Sequence, residues 1–138
     1  MFNFFGKKKE KVQEVQEKIQ LSDERISELR DVIEKTTTEI QELDPADTQK
    51  NVLLASLHEK LGLAYAELGE DDQALATLEK SLDYKLTIGD GYKKLMSIYN
   101  AKRAEAARNG SDAGIEEYMG KMDNMRQIAK KVTISGSK

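Results

Sequence analysis

The chain has 138 residues, with 22 basic and 25 acidic side chains, so it is sized for one domain and carries a net charge of -3. This near balance is not typical of a dedicated nucleic-acid binder, which carries a strong excess of lysine and arginine. Cysteine is absent and His58 is the single histidine, which excludes disulfides, zinc–thiolate sites, thiol nucleophiles and multi-histidine metal centres.

Residues 1–11 form an aromatic and basic tail that contains every phenylalanine of the chain. Its few apolar residues precede its lysines, whereas a signal peptide begins with its charged residues, so the tail is not predicted to be a signal peptide. No apolar run in the sequence is long enough to predict a transmembrane helix. In one interpretation the tail makes weak membrane-surface contact, because phenylalanine enters the lipid interface and lysine meets anionic headgroups. In the other, the phenylalanines cover an apolar groove of the same fold or lie in a frayed tail. The residues that would contact the membrane are Phe2, Phe4, Phe5, Lys7, Lys8 and Lys9.

Residues 12–43 carry apolar residues at alternating steps of three and four, the heptad pattern of a coiled-coil helix. β-Branched residues fill the a positions, which favours a parallel two-stranded coiled coil. The flanking charges leave the orientation open, because in a parallel dimer Lys18 would meet Asp23 but Arg25 would meet Arg30. The alternatives for this seam are therefore a homodimer through residues 12–43, parallel or antiparallel, and packing against later helices of the same chain. The seam residues are Val12, Val15, Ile19, Ile26, Leu29, Ile33 and Ile40, with Ser22 and Thr36 at two of the d positions.

A second helix is predicted to begin at residue 46, because Pro45 suits the first turn of a helix and Asp44 can cap it. Gly69 is expected to end this helix in a turn with positive φ, and a third helix follows from Asp71. Small residues at Gly62 and at Ala74 of the third helix suit a close approach of two helix backbones.

Residues 46–130 resemble the tetratricopeptide repeat family, in which two antiparallel helices form a unit of about 34 residues. The first unit matches at Leu61, Gly62, Tyr65, Gly69, Ala74, Leu78 and Leu82. A second unit repeats His58, Leu61 and Tyr65 as Tyr92, Leu95 and Tyr99, and is then lengthened by about two helical turns. Thr87 and Ser111 are predicted to cap its two helices. The last helix has a predicted buried stripe of Ile115, Tyr118, Met119, Met122, Met125 and Ala129.

The predicted fold is therefore all-α with about five helices. A long coiled-coil helix over residues 12–43 precedes two tetratricopeptide-like helix pairs over residues 46–131. Residues 132–138 lack helical periodicity and are predicted to be a flexible tail. Two units are fewer than the three usually needed to bury a continuous core, so the first helix is expected to cover an exposed end, within the chain or through a dimer.

A cluster of basic and amide side chains occurs in the first helix of the second unit. In the family that this chain resembles, the corresponding helix lines a concave groove that holds an extended peptide, which implies an acidic peptide or a terminal carboxylate as ligand here. The alternative is an ordinary solvated basic face. The candidate partner-binding residues are Lys93, Lys94, Ser97, Asn100, Lys102 and Arg103.

The sequence predicts no catalytic residue, no cofactor and no metal site. His58 has no second histidine or cysteine to act with, and is interpreted as a packed helix residue. The segment Gly89-Asp90-Gly91 lacks the preceding strand and third glycine of a dinucleotide fingerprint. We therefore expect a non-enzymatic, cytoplasmic protein that binds a protein or peptide partner, with a peripheral membrane adaptor as the alternative and nucleic acid disfavoured as a ligand.

Overall fold

A computed structural model describes residues 20–136, and this part of the chain is all-helical, which confirms the predicted fold class. The five helices of the described residues are α1 (Asp23–Glu42), α2 (Lys50–Glu67), α3 (Asp71–Tyr84), α4 (Asp90–Arg108) and α5 (Asp112–Gly136). Each helix packs against the next. Among residues 20–136, α2 is the one helix whose backbone α1 approaches, and α4 is the one helix whose backbone α5 approaches.

The helix predicted to run from residue 12 to residue 43 begins, within the described residues, at Asp23 and ends at Glu42. Residues 20–22 are not helical, and Ser22 has an extended backbone with φ of -66° and ψ of 156°. Its hydroxyl accepts a hydrogen bond from the backbone N–H of Arg25 at 3.0 Å, so Ser22 is the N-cap of α1. The prediction of one unbroken helix over residues 12–43 is therefore wrong, because Ser22 caps a helix and does not fill a heptad position within one.

The second helix begins at Lys50, four residues later than the prediction. Asp44 Oδ1 accepts from the N–H of Ala46 at 2.9 Å, and Asp47 Oδ1 accepts from the N–H of Gln49 at 2.8 Å. These local bonds hold the segment around Pro45 in turns, since aspartate side chains compete with helical hydrogen bonding. The proline therefore lies in the connection.

Helices α2 and α3 form an antiparallel pair held at both ends. Gly69 has a φ of +79° in the turn between them, as predicted. A Cβ atom on Gly62 would lie 2.6 Å from Cγ of Leu78, which confirms the expected close approach. Near the other end of the pair, Ser81 Oγ donates to the carbonyl oxygen of Ala55 at 2.6 Å.

Helices α4 and α5 form a second antiparallel pair with the same type of turn. Gly110 has a φ of +70°, and Ser111 Oγ accepts from the N–H of Gly114 at 3.1 Å, so the predicted cap of α5 is confirmed. The predicted cap at Thr87 is wrong, because α4 begins at Asp90 with Gly89 as its N-cap. Helix α5 continues to residue 136, so the prediction of a loose tail from residue 132 is wrong for the described part of that segment.

The core joins the two helix pairs through α3, α4 and α5. Its buried residues are Ala74, Leu78, Leu95, Ile98, Tyr99, Met122 and Met125. Tyr65 and Tyr92 pack against this cluster and are partly buried. Met119 is 53% exposed, which corrects its place in the predicted stripe. Met119 follows Tyr118 directly, and neighbours on a helix point about 100° apart, so only Tyr118 of the two faces the core.

Helix α1 covers α2 through the d positions of the predicted seam. Leu29 is 3% exposed and Thr36 is fully buried. Two bidentate ion pairs hold the N-terminal half of α1, on either side of Leu29: Arg25 bonds Glu67 at 2.6 and 2.8 Å, and Arg30 bonds Glu70 at 3.0 and 2.5 Å. Within residues 20–136, this part of the seam is thus engaged inside the chain.

Replacing Thr36 by valine is expected to stabilise the protein. Within the described residues, Oγ1 of Thr36 is buried and has no hydrogen-bond partner, and such an orphaned group costs about 1 kcal/mol or more. Valine has nearly the same shape without the hydroxyl, so Thr36→Val should raise the free energy of unfolding by about 1 kcal/mol in urea denaturation. Thr38→Val is the control, because Thr38 is exposed and its hydroxyl donates to the carbonyl oxygen of Glu34. Equal effects of the two changes would contradict the assignment.

Acid is expected to weaken the contact between α1 and α2. The guanidinium groups of Arg25 and Arg30 hold the pKa of Glu67 and of Glu70 below the ordinary value of 4.5. Their stabilising contribution is therefore complete above about pH 4.5 and is lost as the pH falls through the lowered values.

The measurement is the free energy of unfolding between pH 7 and pH 3. We expect a variant with Glu67→Gln and Glu70→Gln to lose less stability over this range than the parent. A variant with Glu116→Gln and Glu117→Gln, which changes two exposed carboxylates of α5, should follow the parent curve. Parallel curves for all three proteins would show that the two ion pairs contribute nothing.

Candidate functional site

The candidate partner-binding residues of α4 are only partly brought together on one surface. Lys93, Ser97 and Asn100 are exposed, and their spacing places them on one face of the helix. Lys94 is also exposed beside this face. These four residues form an accessible polar surface on the outer side of α4.

Lys102 and Arg103 are engaged within the chain. Lys102 is separated from Lys93 by about two and a half helical turns, so it lies on the opposite side of α4. Its Nζ pairs with Asp72 of α3 at 2.5 Å, and this hydrogen bond raises the pKa of Lys102. Arg103 donates from Nε and Nη2 to Oδ1 of Asn100 at 3.2 and 3.1 Å. The cluster therefore offers fewer free cationic groups than its composition indicates.

An open groove with a volume of about 360 Å³ lies between α3 and α5, beside α4. Helices α3 and α5 do not approach each other along their backbones, and the gap between them is the groove. Its apolar lining consists of Leu82, Leu86, Leu95, Met125 and Ile128. Its polar lining consists of Glu79, Asp83, Tyr99, Lys121 and Asn124. We call this feature the α3–α5 groove.

One wall of the α3–α5 groove is fixed by a polar cluster. The buried Tyr99 donates its hydroxyl hydrogen to Oε2 of Glu79, and Lys121 Nζ bonds the same oxygen at 3.1 Å. The Lys121 ammonium also lies 5.6 Å from the centre of the Tyr99 ring, within the range of a cation–π contact. Burial, together with the bond to Glu79, raises the pKa of Tyr99. The charges of Glu79 and Lys121 therefore cancel on this wall, and the bonds among the three side chains hold its shape.

Asp83 gives the rim of the α3–α5 groove its charge. It is exposed, and within residues 20–136 it has no ion-pair partner. Its carboxylate stands beside the apolar lining, so the groove combines an apolar surface with one free negative charge. A ligand with an apolar side chain next to a cationic one would match both features.

The predicted self-association seam is split by the structure. Val12, Val15 and Ile19 lie outside the described residues, as do the tail residues proposed to contact a membrane. Leu29 is buried against α2, whereas Ile26 is 37% exposed and Ile33 and Ile40 are half-buried. The homodimer and the membrane contact both stay predictions from the sequence.

His58 is buried and its ring is used in packing, as the sequence indicated. Its Nδ1 lies 2.8 Å from the carbonyl oxygen of Leu54, and its ring centre lies 5.2 Å from that of Tyr84. No group of three or more metal-ligating side chains is found among residues 20–136. In the same range, no helix is long and apolar enough to cross a membrane.

Sequence periodicity alone does not reveal the α3–α5 groove. It assigns Leu82 and Met125 correctly to the apolar faces of their helices, but it cannot show that α3 and α5 stay apart. One residue that indicates the groove is Leu86. It is apolar although it lies in the connecting segment beyond the end of α3, and it lines the groove.

Comparisons with known proteins leave the function to be inferred from this geometry. No known protein family matches the chain, and no characterised protein or solved structure is significantly similar to it.

Proposed function

We propose that this chain is a non-catalytic protein-interaction module with a tetratricopeptide-like architecture, which binds a segment of a partner protein in the α3–α5 groove. The observation that carries the proposal is a groove, lined in part by apolar residues, that residues 20–136 leave open. It has one fixed wall, and within the same residues the Asp83 carboxylate on its rim takes part in no ion pair. Such a combination suits a peptide better than a reaction, because apolar contacts give affinity and a single charge gives orientation.

The proposed architecture is supported by features that recur in the two helix pairs. Gly69 and Gly110 both have positive φ in the turns, and Tyr65 and Tyr99 both pack against the shared core. The close approach at Gly62 joins the first pair in the way that a tetratricopeptide unit requires. The proposed ligand is an amphipathic segment with a large apolar residue next to lysine or arginine, which differs from the acidic peptide expected from the sequence.

The test is selection of binding peptides from a displayed library on the 138-residue chain, followed by titration with the selected peptides. We expect Leu86→Asp to weaken binding at least about tenfold, equivalent to about 1.4 kcal/mol, because the substitution puts a charge into the apolar lining. Ile88→Asp is the matched control, since Ile88 is 43% exposed in the same connecting segment and does not line the groove. Asp83→Lys should weaken binding of the basic peptides in the same assay.

Circular dichroism of each variant shows whether the fold is kept. Peptides whose binding survives Leu86→Asp but is lost with Lys93→Glu would place the site on the outer face of α4 and overturn the groove assignment. A library that yields no binding peptide would contradict the proposed function.

A further inference from the structure

A second depression lies in the crevice between α1 and α2, close to the turn that joins them. Its volume is about 370 Å³. Its apolar lining consists of Leu43, Leu53 and Leu57, and its polar lining consists of Glu39, Glu42, Asp44 and Ser56. We call it the acidic cleft. It is separate from the α3–α5 groove, since the two share no lining residue.

The charge of the acidic cleft is of one sign. Neither lysine nor arginine lines it, and within residues 20–136 Glu39, Glu42 and Asp44 take part in no ion pair. Beside these carboxylates the large apolar side chain of Leu53 is 38% exposed to solvent. The cleft therefore matches an occupant that carries apolar side chains and several positive charges.

The same chain contains a segment with this chemistry outside the described residues. Its residues 1–11 hold all three phenylalanines, followed by Lys7, Lys8 and Lys9. We propose that this aromatic and basic tail docks in the acidic cleft of its own chain, with phenylalanine side chains on the leucine lining and lysines facing the carboxylates. The proposal is independent of the partner-binding function assigned to the α3–α5 groove.

The length of the chain allows this contact. Helix α1 has 20 residues and is about 30 Å long, and the acidic cleft lies at the end opposite to Ser22. Residues 6–19 would span up to about 46 Å when extended at about 3.3 Å per residue, so the tail can return along α1 to the cleft. The chain can also reverse its direction there, because residues 20–22 are not helical.

The experiment uses the 138-residue chain with Phe4→Trp, which supplies a single tryptophan because the chain has none. A docked tail is expected to give blue-shifted tryptophan emission and reduced quenching by acrylamide. Leu53→Asp in this background should restore the emission and quenching of a solvent-exposed tryptophan. Met119→Asp is the matched control, because Met119 is a similarly exposed apolar side chain on α5 and should leave the signal unchanged. Phe5→Trp serves as a second reporter in case the first substitution itself prevents docking.

Charge reversal tests the electrostatic part of the proposal. Glu39→Lys combined with Glu42→Lys should release the tail, whereas Glu116→Lys combined with Glu117→Lys changes the net charge equally on α5 and should not. High salt should also release it, because screening weakens contacts between exposed charges.

Three results would overturn the assignment. Solvent-exposed emission from both reporters in the parent background would mean that the tail is not docked. Emission that is insensitive to Leu53→Asp and to the Glu39 and Glu42 reversal would place the tail elsewhere. A blue shift that disappears on dilution would identify the occupant as the tail of a second copy.

Discussion

Gly62→Val is expected to destabilise the protein by at least about 3 kcal/mol, at the upper end of the usual cost of overpacking a core. A Cβ at this position would lie 2.6 Å from Cγ and 2.7 Å from Cδ2 of Leu78, and 3.3 Å from its backbone nitrogen. Leu78 is completely buried in the core cluster, so its side chain can move only by displacing the residues packed around it. The free energy of unfolding in urea is the measurement, and a loss below about 1 kcal/mol would contradict the close approach.

Alanine substitutions separate this steric effect from helix propensity. Gly120→Ala lies in α5, where an added Cβ meets nothing within 4 Å, and it should stabilise the protein by roughly 0.5–1 kcal/mol. Gly62→Ala should instead destabilise it, although the gain in helix propensity is the same. In a Leu78→Ala background the cost of Gly62→Ala should shrink, because the side chain that it meets has been removed.

Tyr99→Ala is expected to cost about 3–5 kcal/mol, the range for removing a large aromatic side chain from a core. Tyr99 is 3% exposed, and its ring packs near Tyr118 with 6.2 Å between ring centres. Tyr99→Phe keeps the ring and removes only the hydroxyl that donates to Glu79, so it should cost about 1.5 kcal/mol. Equal losses for the two variants in urea denaturation would contradict a buried, packed ring.

The same tyrosine predicts a dependence on alkaline pH. Burial and the bond to Glu79 raise the pKa of Tyr99 above its ordinary value of 10. The contribution of the neutral phenol to stability is therefore complete below about pH 10 and is lost as the pH rises above it. The difference in stability between the parent and Tyr99→Phe should shrink between pH 9 and pH 11. A constant difference would mean that the hydroxyl is solvated.

Where a residue's role depends on its near neighbours in the sequence, the structure could be predicted. Gly69 occupies its turn because an apolar helix ends there and glycine tolerates positive φ. Ser111 is a cap because a helical pattern begins directly after it. The close approach at Gly62 can be predicted because a small residue within an apolar helix face indicates a close neighbour.

The wrong predictions arise where two local patterns compete. Ser22 fits both a heptad position and an N-cap, and the hydrogen bond to Arg25 decides for the cap. Residues 132–136 have weak helix propensity, but they continue α5. Around Pro45, aspartate turns outweigh the preference of proline for a first helical turn.

The candidate site could not be predicted because it depends on pairs that are distant in the sequence. Lys102 meets Asp72, and Glu79 meets both Tyr99 and Lys121, each across a helix boundary. Helical periodicity predicts which face of its own helix a residue lies on, but it does not predict which other helix packs against that face. The fixed wall of the α3–α5 groove follows from the pairing of Glu79 with Tyr99 and Lys121.

Among the described helices, α1 approaches the backbone of α2 alone, and α5 approaches that of α4 alone. This arrangement has a consequence for amide exchange. In such a linear array an end helix can open without the rest, so exchange should be slowest in α2, α3 and α4 and faster at both ends. A ligand held between α3 and α5 would add contacts to one of these end helices. Occupancy would then be reported by slower exchange along the whole of α5, including the turns that the ligand does not touch.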